Sequence, residues 1–123
     1  MALQRLKDQG GFNGDRIESC AMPTVFASGS DWLRTVVEKS DLAEGNLAGT
    51  RIRETTFAHT ALRKARLRGA RLIDVSMRGA NLMAASFARA MLIGVDLRDA
   101  ALAGADFSGA TTIGCHLPAE FGS

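Results

Sequence analysis

Apolar residues recur in this chain every five positions. Between Ala65 and Gly109 the sequence, cut at each bulky residue, reads LRGAR, LIDVS, MRGAN, LMAAS, FARAM, LIGVD, LRDAA, LAGAD and FSG. The bulky, or central, residues are Leu67, Leu72, Met77, Leu82, Phe87, Leu92, Leu97, Leu102 and Phe107. Two places before each lies a small or slim one: Ala65, Ala70, Val75, Ala80, Ala85, Ala90, Val95, Ala100 and Ala105. A period of five matches neither an α-helix nor a plain strand. The spacing of two is strand-like and puts the small and central side chains on one side. The other places must then turn the chain. Nine of the 13 glycines fall two residues after a central position, where a residue tolerant of positive φ marks a corner. An edge and a corner, repeated at a fixed period, predict a solenoid.

The register starts early. Phe12, Ile17, Met22, Ala27, Trp32 and Val37 are in phase with Leu42 onward, and the period runs through 22 repeats from Phe12 to Leu117. From Leu42 on, only Thr112 is not a bulky centre. Asp15 breaks the rule by placing a carboxylate at an inward position, which is costly unless it is satisfied. Trp32 is large for an interior built of leucines. A helix over 31–39, capped by Ser30, is the rival reading there; the in-phase Gly14 and Gly29 favour the solenoid. Residues 2–10 can form a short helix with Leu3 and Leu6 on one side, a lid on the first coil. The expected organisation is therefore a cap over 1–11, degenerate repeats over 12–41, regular repeats over 42–117 and a tail over 118–123. Pro118, which cannot donate to a ladder, ends the register.

Ala80-Asn81-Leu82, Ala105-Asp106-Phe107, Val95-Asp96-Leu97 and Ser40-Asp41-Leu42 resemble the motif of pentapeptide-repeat proteins: a small residue, Asp or Asn, Leu or Phe, then two variable residues. The resemblance implies an all-β fold, a right-handed quadrilateral β-helix with four repeats per coil. Residues 20 apart then stack in columns. One holds Leu42, Leu62, Leu82 and Leu102. A second, starting at Ala27, holds Leu47, Leu67, Phe87 and Phe107. A third, starting at Phe12, holds Trp32, Ile52, Leu72, Leu92 and Thr112. The last, starting at Ile17, holds Val37, Phe57, Met77, Leu97 and Leu117. Relatives that dimerise through the C-terminal end imply the same option for this chain.

At 123 residues and 13.0 kDa the chain is one domain, and no apolar run approaches the length of a membrane span. The first residues lack the apolar core of a signal peptide, so a cytoplasmic location is expected. Cys20 and Cys115 take inward small positions nearly five coils apart, which predicts two buried free thiols, not a disulfide. Nothing in the sequence points to catalysis, a metal or a cofactor. There is no nucleophile motif and no phosphate-binding glycine loop. His59 and His116 are expected at the surface, and Asp96 with Asp99 reads as solvated surface.

Charge is uneven. Residues 51–78 carry eight bases against two acids, whereas the flanking segments are net acidic, within an overall +2. Arg63, Lys64, Arg66, Arg68 and Arg71 take outward places on one coil and form a basic arc suited to an acidic partner. A lack of exposed aromatics argues against nucleic acid. Residues following the third-column centres include Ile73, Ile93 and Ile113, which should form an apolar ridge with Met83 and Met91 close by. Such a ridge suits a protein interface, to a partner of unknown identity or to a second copy. The expected function is a non-enzymatic scaffold or protein-interaction module. Two alternatives come from the resemblance. One is a DNA-mimicking gyrase-binding protein, which the basic central coil and the missing acidic faces disfavour. The other is an accessory or cargo module of a bacterial secretion system. The column scheme makes Leu82→Ala an expected loss of about 2–5 kcal/mol in chemical denaturation.

Overall fold

The computed structural model describes residues 2–118, with side chains from Leu6 onward. The expectations for the Leu3 side chain and for Ala119, Glu120 and Phe121 lie outside the described residues. Helix α1 (Ala2–Gln9) leads into strand β1 (Gly11–Asn13). Strands β2 (Arg16–Glu18), β3 (Asp31–Leu33), β4 (Val36–Glu38), β5 (Arg51–Arg53), β6 (Arg71–Ile73), β7 (Met91–Ile93) and β8 (Thr111–Ile113) follow. Strands β3 and β4 occupy the segment for which a helix over 31–39 was the rival. There the in-phase centres Trp32 and Val37 are fully buried, each between outward neighbours.

The pairing is parallel, in steps of 20 residues. Phe12 pairs with Trp32, Trp32 with Ile52, Ile52 with Leu72, Leu72 with Leu92 and Leu92 with Thr112, forming face A. Face B begins with Ile17 beside Val37 and continues through single bridges at Thr56, Ser76, Asp96 and His116. Face C runs through Ala21, Asp41, Ala61, Asn81 and Ala101, and face D through Phe26, Asn46, Arg66, Ser86 and Asp106. The result is a four-sided β-solenoid of about five turns.

One repeat shows how the backbone is satisfied. In 81–85 the Asn81 amide donates to Thr60 O in the coil above, while the Leu82 amide donates to Ala101 O and the Ala84 amide to Ala103 O in the coil below. The Met83 amide donates to Asn81 Oδ1 at 3.1 Å, and the Ala85 amide closes a turn onto Leu82 O at 3.0 Å. All five amides therefore have partners. The Asn or Asp before the centre is thus an Asx cap on the amide two residues on. Asp41, Asn46, Asp96 and Asp106 do the same for Ala43, Ala48, Arg98 and Ser108.

Corners have positive φ whether or not the residue is glycine. Ser19, Glu44, Lys64, Ala84 and Arg89 sit at φ 51°, 58°, 59°, 59° and 58°, close to Gly69 at 69°. Gly11 has a different reason to be glycine: a Cβ there would lie 1.7 Å from the Asp31 carbonyl oxygen.

Inside, central residues from Trp32 to Leu97 are fully buried, with alanine and valine between them. Trp32 fits because its ring meets Phe12 edge-on at 4.6 Å and Phe57 at 5.5 Å, and its Nε1–H donates to Ser30 Oγ at 2.7 Å. From Ser30 to Thr60 every small inward residue but Gly45 is a hydroxyl: Ser30, Thr35, Ser40, Thr50, Thr55 and Thr60 are buried. Ser30 and Thr50 reinforce the turn at the Ala27 and Leu47 carbonyls, while Ser40 and Thr55 satisfy amides in the neighbouring coil. Ser40 Oγ accepts from the Cys20 amide at 3.1 Å, and Thr55 Oγ1 accepts from the Thr35 amide at 3.2 Å. Among the described residues no buried side-chain nitrogen or oxygen lacks a partner.

The ends are looser. Leu6 of α1 packs half-buried on the first coil, and the Gly10 amide closes the helix onto Leu6 O at 3.0 Å. Asp15 is not driven inward: it stays half-buried, and its Oδ2 accepts from the Asn13 amide at 3.1 Å. Cys20 and Cys115 are half-buried free thiols, not fully buried ones, because the coils holding them are covered on one side only.

Two expectations follow. Ala84→Gly should raise stability by about 0.5–1 kcal/mol in urea denaturation, since the corner conformation strains an alanine and not a glycine. Asp96 is held by its side-chain hydrogen bonds with Arg98, whose Nη2 lies 2.7 Å from Oδ2, and its pKa falls to about 2. Its contribution is therefore complete above the ordinary carboxylate range and is lost as pH falls through about 2. The melting-temperature gap between wild type and Asp96→Asn should be open at pH 6 and close as the pH approaches 2.

Candidate interaction surface

The described surface offers flat faces and shallow notches. Among the described residues no three His, Cys, Asp or Glu side chains group to hold a metal ion. Asp96 and Asp99 do not form a pair. Asp96 binds Arg98, whose pKa rises in turn through that hydrogen bond, and Asp99 binds Arg78 at 3.3 Å. His59 is an exposed corner whose ring covers Gly79, and His116 is exposed in the last coil.

The basic arc does not collect on one plane. Arg63 and Lys64 lie on face C and its corner, Arg66 and Arg68 on face D, and Arg71 on face A. All five are exposed. None forms an ion pair within 4.0 Å among the described residues. Asp106, further along face D, has a lowered pKa, chiefly from its hydrogen bonds with Ser108 and to a lesser degree from the charge of Arg68.

Face A joins Arg71 of the arc to Arg51 and Arg53, which the arc left out. Parallel pairing sets Arg51 beside Arg71 and Arg53 beside Ile73. These four line a shallow notch of about 290 Å³. Arg53 also reaches Asp31 Oδ1 at 3.3 Å. The signal was in the sequence: Arg51 precedes Arg71 by one coil.

The isoleucine ridge assembles on the same face. Ile73, Ile93 and Ile113 are successive partners, half-buried in the upper two and 55% exposed at Ile113. Met91 shares strand β7 with Ile93 and is 37% exposed. Met83 does not belong to the ridge. It follows Leu82 on face C, across the solenoid from face A, because a step of ten residues is half a coil. One aromatic is exposed where the sequence pattern predicts none. Phe26, at an outward place on face D, is 75% exposed, and an aromatic where a polar residue is usual was its signal. A single ring two coils from Arg66 is not a stacking platform.

Among the described residues no helix is long and apolar enough to cross a membrane. Comparison with curated protein sequences returns no match. Solved structures with a similar fold include a pentapeptide repeat protein from the cyanobacterium Cyanothece 51142, at 22% identity over 94% of this chain and 97% of that one, with a TM-score of 0.64. One from the Arabidopsis thaliana thylakoid lumen matches at 22% identity over 75% and 64% of the two chains, with a TM-score of 0.72. The plasmid-mediated fluoroquinolone resistance protein QnrB1 matches at 16% identity over 85% and 66%, with a TM-score of 0.60. These likenesses show the fold. The family model for pentapeptide repeats, described as eight copies, matches twice, over residues 51–87 and 80–117, and the chain belongs to the pentapeptide-repeat family.

Proposed function

We propose that the protein is a non-enzymatic interaction module and that face A is its contact surface. The observation carrying this reading is the run of Ile73, Ile93, Ile113 and Met91 on the six-stranded sheet, the longer of the two sheets among the described residues. A contiguous apolar strip on a rigid face, half-buried at Ile73 and Ile93 and exposed at Met91 and Ile113, serves contact better than catalysis. A flat sheet of stacked strands needs no rearrangement to dock. The partner is a protein of another kind or a second copy of the chain. The last coil supports the second copy: Leu102, Phe107, Ala110, Thr112 and Leu117 line an apolar cavity of about 220 Å³ at the C-terminal end. The gyrase-binding reading is not favoured, because the likeness to QnrB1 is one of fold and the central coil is basic, not acidic. A cytoplasmic setting with free thiols accords with the proposal.

Ile93→Lys is expected to lower partner capture from native lysate, or self-association in light scattering, by about tenfold or more. Ile113→Lys, at the more exposed end of the ridge, should act in the same direction without changing the melting temperature. Unchanged association in both variants would remove face A as the interface.

A further inference from the structure

Resting on that reading, the geometry of face A points to the chemistry of what it binds: an extended protein segment carrying a carboxylate two residues before an apolar side chain. We propose that the carboxylate enters the notch of Arg51, Arg53 and Arg71. On a parallel sheet the outward positions of neighbouring strands form a rectangle of about 4.8 by 6.8 Å. Three corners of this one are arginine and the fourth is Ile73. Arg53 already engages Asp31, whereas Arg51 and Arg71 do not, and a bound carboxylate would supply them a counter-charge while accepting forked hydrogen bonds.

The surrounding charges leave room for it. Asp31 lies beside Arg51 in the neighbouring strand and engages Arg53, at exposed positions on both sides. Glu54 and Asp74 follow Arg53 and Ile73 at corners, with φ 50° and 55°, and neither is within ion-pairing distance of the notch arginines. At the opposite edge the corners are Gly49 and Gly69, which carry no side chain, and the next outward residue is Arg68. Arg51 and Arg71 have no ion-pair partner among the described residues.

Below the notch the surface turns apolar. Met91 is the strand partner of Arg71, and Ile93 that of Ile73. From the middle of the notch to the Met91–Ile93 level is about one and a half strand spacings, or roughly 7 Å. Two residues of extended chain span about the same length. A segment crossing the strands with an acid at one residue and Leu or Ile two residues on would meet both surfaces.

The test uses the full chain and a fluorescent synthetic peptide of repeated Glu-Ser-Leu-Ser, read by anisotropy. Wild type should bind it. The double variant Arg51→Ala/Arg71→Ala should weaken binding by about tenfold or more. Arg78→Ala/Arg89→Ala, which removes the same charge away from face A, should leave it unchanged, and a Glu-Ser-Ser-Ser peptide should bind more weakly than the parent. Equal losses in the two double variants would mean net charge alone and overturn the proposal. So would failure of wild type to bind the peptide, or tighter binding of duplex DNA at matched salt. If Ile93→Lys abolishes partner capture while Arg51→Ala/Arg71→Ala captures normally, the notch is refuted and the interaction face stands.

Discussion

Each coil is fastened to the next by the residue just before the centre, which bonds through both its amide and its carbonyl. Asp41, for instance, donates its amide to Cys20 O in the coil above and accepts from the Met22 amide in that same coil. Its carboxylate meanwhile caps the Ala43 amide at 2.9 Å. Three functions at one position fix the period. An insertion of one residue would break the two main-chain bonds and turn the Leu42 side chain out of the core. The stack of leucines follows from this register and then reinforces it, because like side chains meet at the strand spacing.

The constraint has a local cost. A corner with φ near 60° is strained for most residues, on the order of 1 kcal/mol each, and among the described residues twelve non-glycine residues adopt it. The strain persists because the flanking bonds over-determine the corner. Ala84 is held by its amide bond to Ala103 O, and the following Ala85 amide closes on Leu82 O. The corner side chain lies outside the core and varies widely: His59, Lys64 and Arg89 all stand there. Outward chemistry is thereby uncoupled from the fold.

Fold and surface were unequally legible in the sequence. The core was readable because each pentapeptide repeats the same demand, so Leu62, Leu82 and Leu102 identify one another. The buried hydroxyls were not, since Thr35 and Thr55 look merely small until the Thr35 amide is seen donating to Thr55 Oγ1. Surface neighbours follow a longer rule. Proximity along the chain joined Met83 to the ridge, yet ten residues lead to the opposite face. Arg51 and Arg71 are apart in sequence and adjacent in space. Reading every twentieth residue, rather than every fifth, recovers both facts.

In such a solenoid a face is a set of columns, and each column is a short text running along the axis. The column ahead of the face A centres reads Gly11, Asp31, Arg51, Arg71, Met91, Thr111, and the one after them reads Asn13, Leu33, Arg53, Ile73, Ile93, Ile113. Charge gives way to apolar surface within a single strand spacing on both. Folding does not require that order, because these side chains point away from the core and the sheet bonds are made by backbone alone. Solubility does not require it either, since an isoleucine column that reaches solvent, most fully at Ile113, works against it. A graded face on a rigid support suits the recognition proposed above, of a partner with matching acidic and apolar parts.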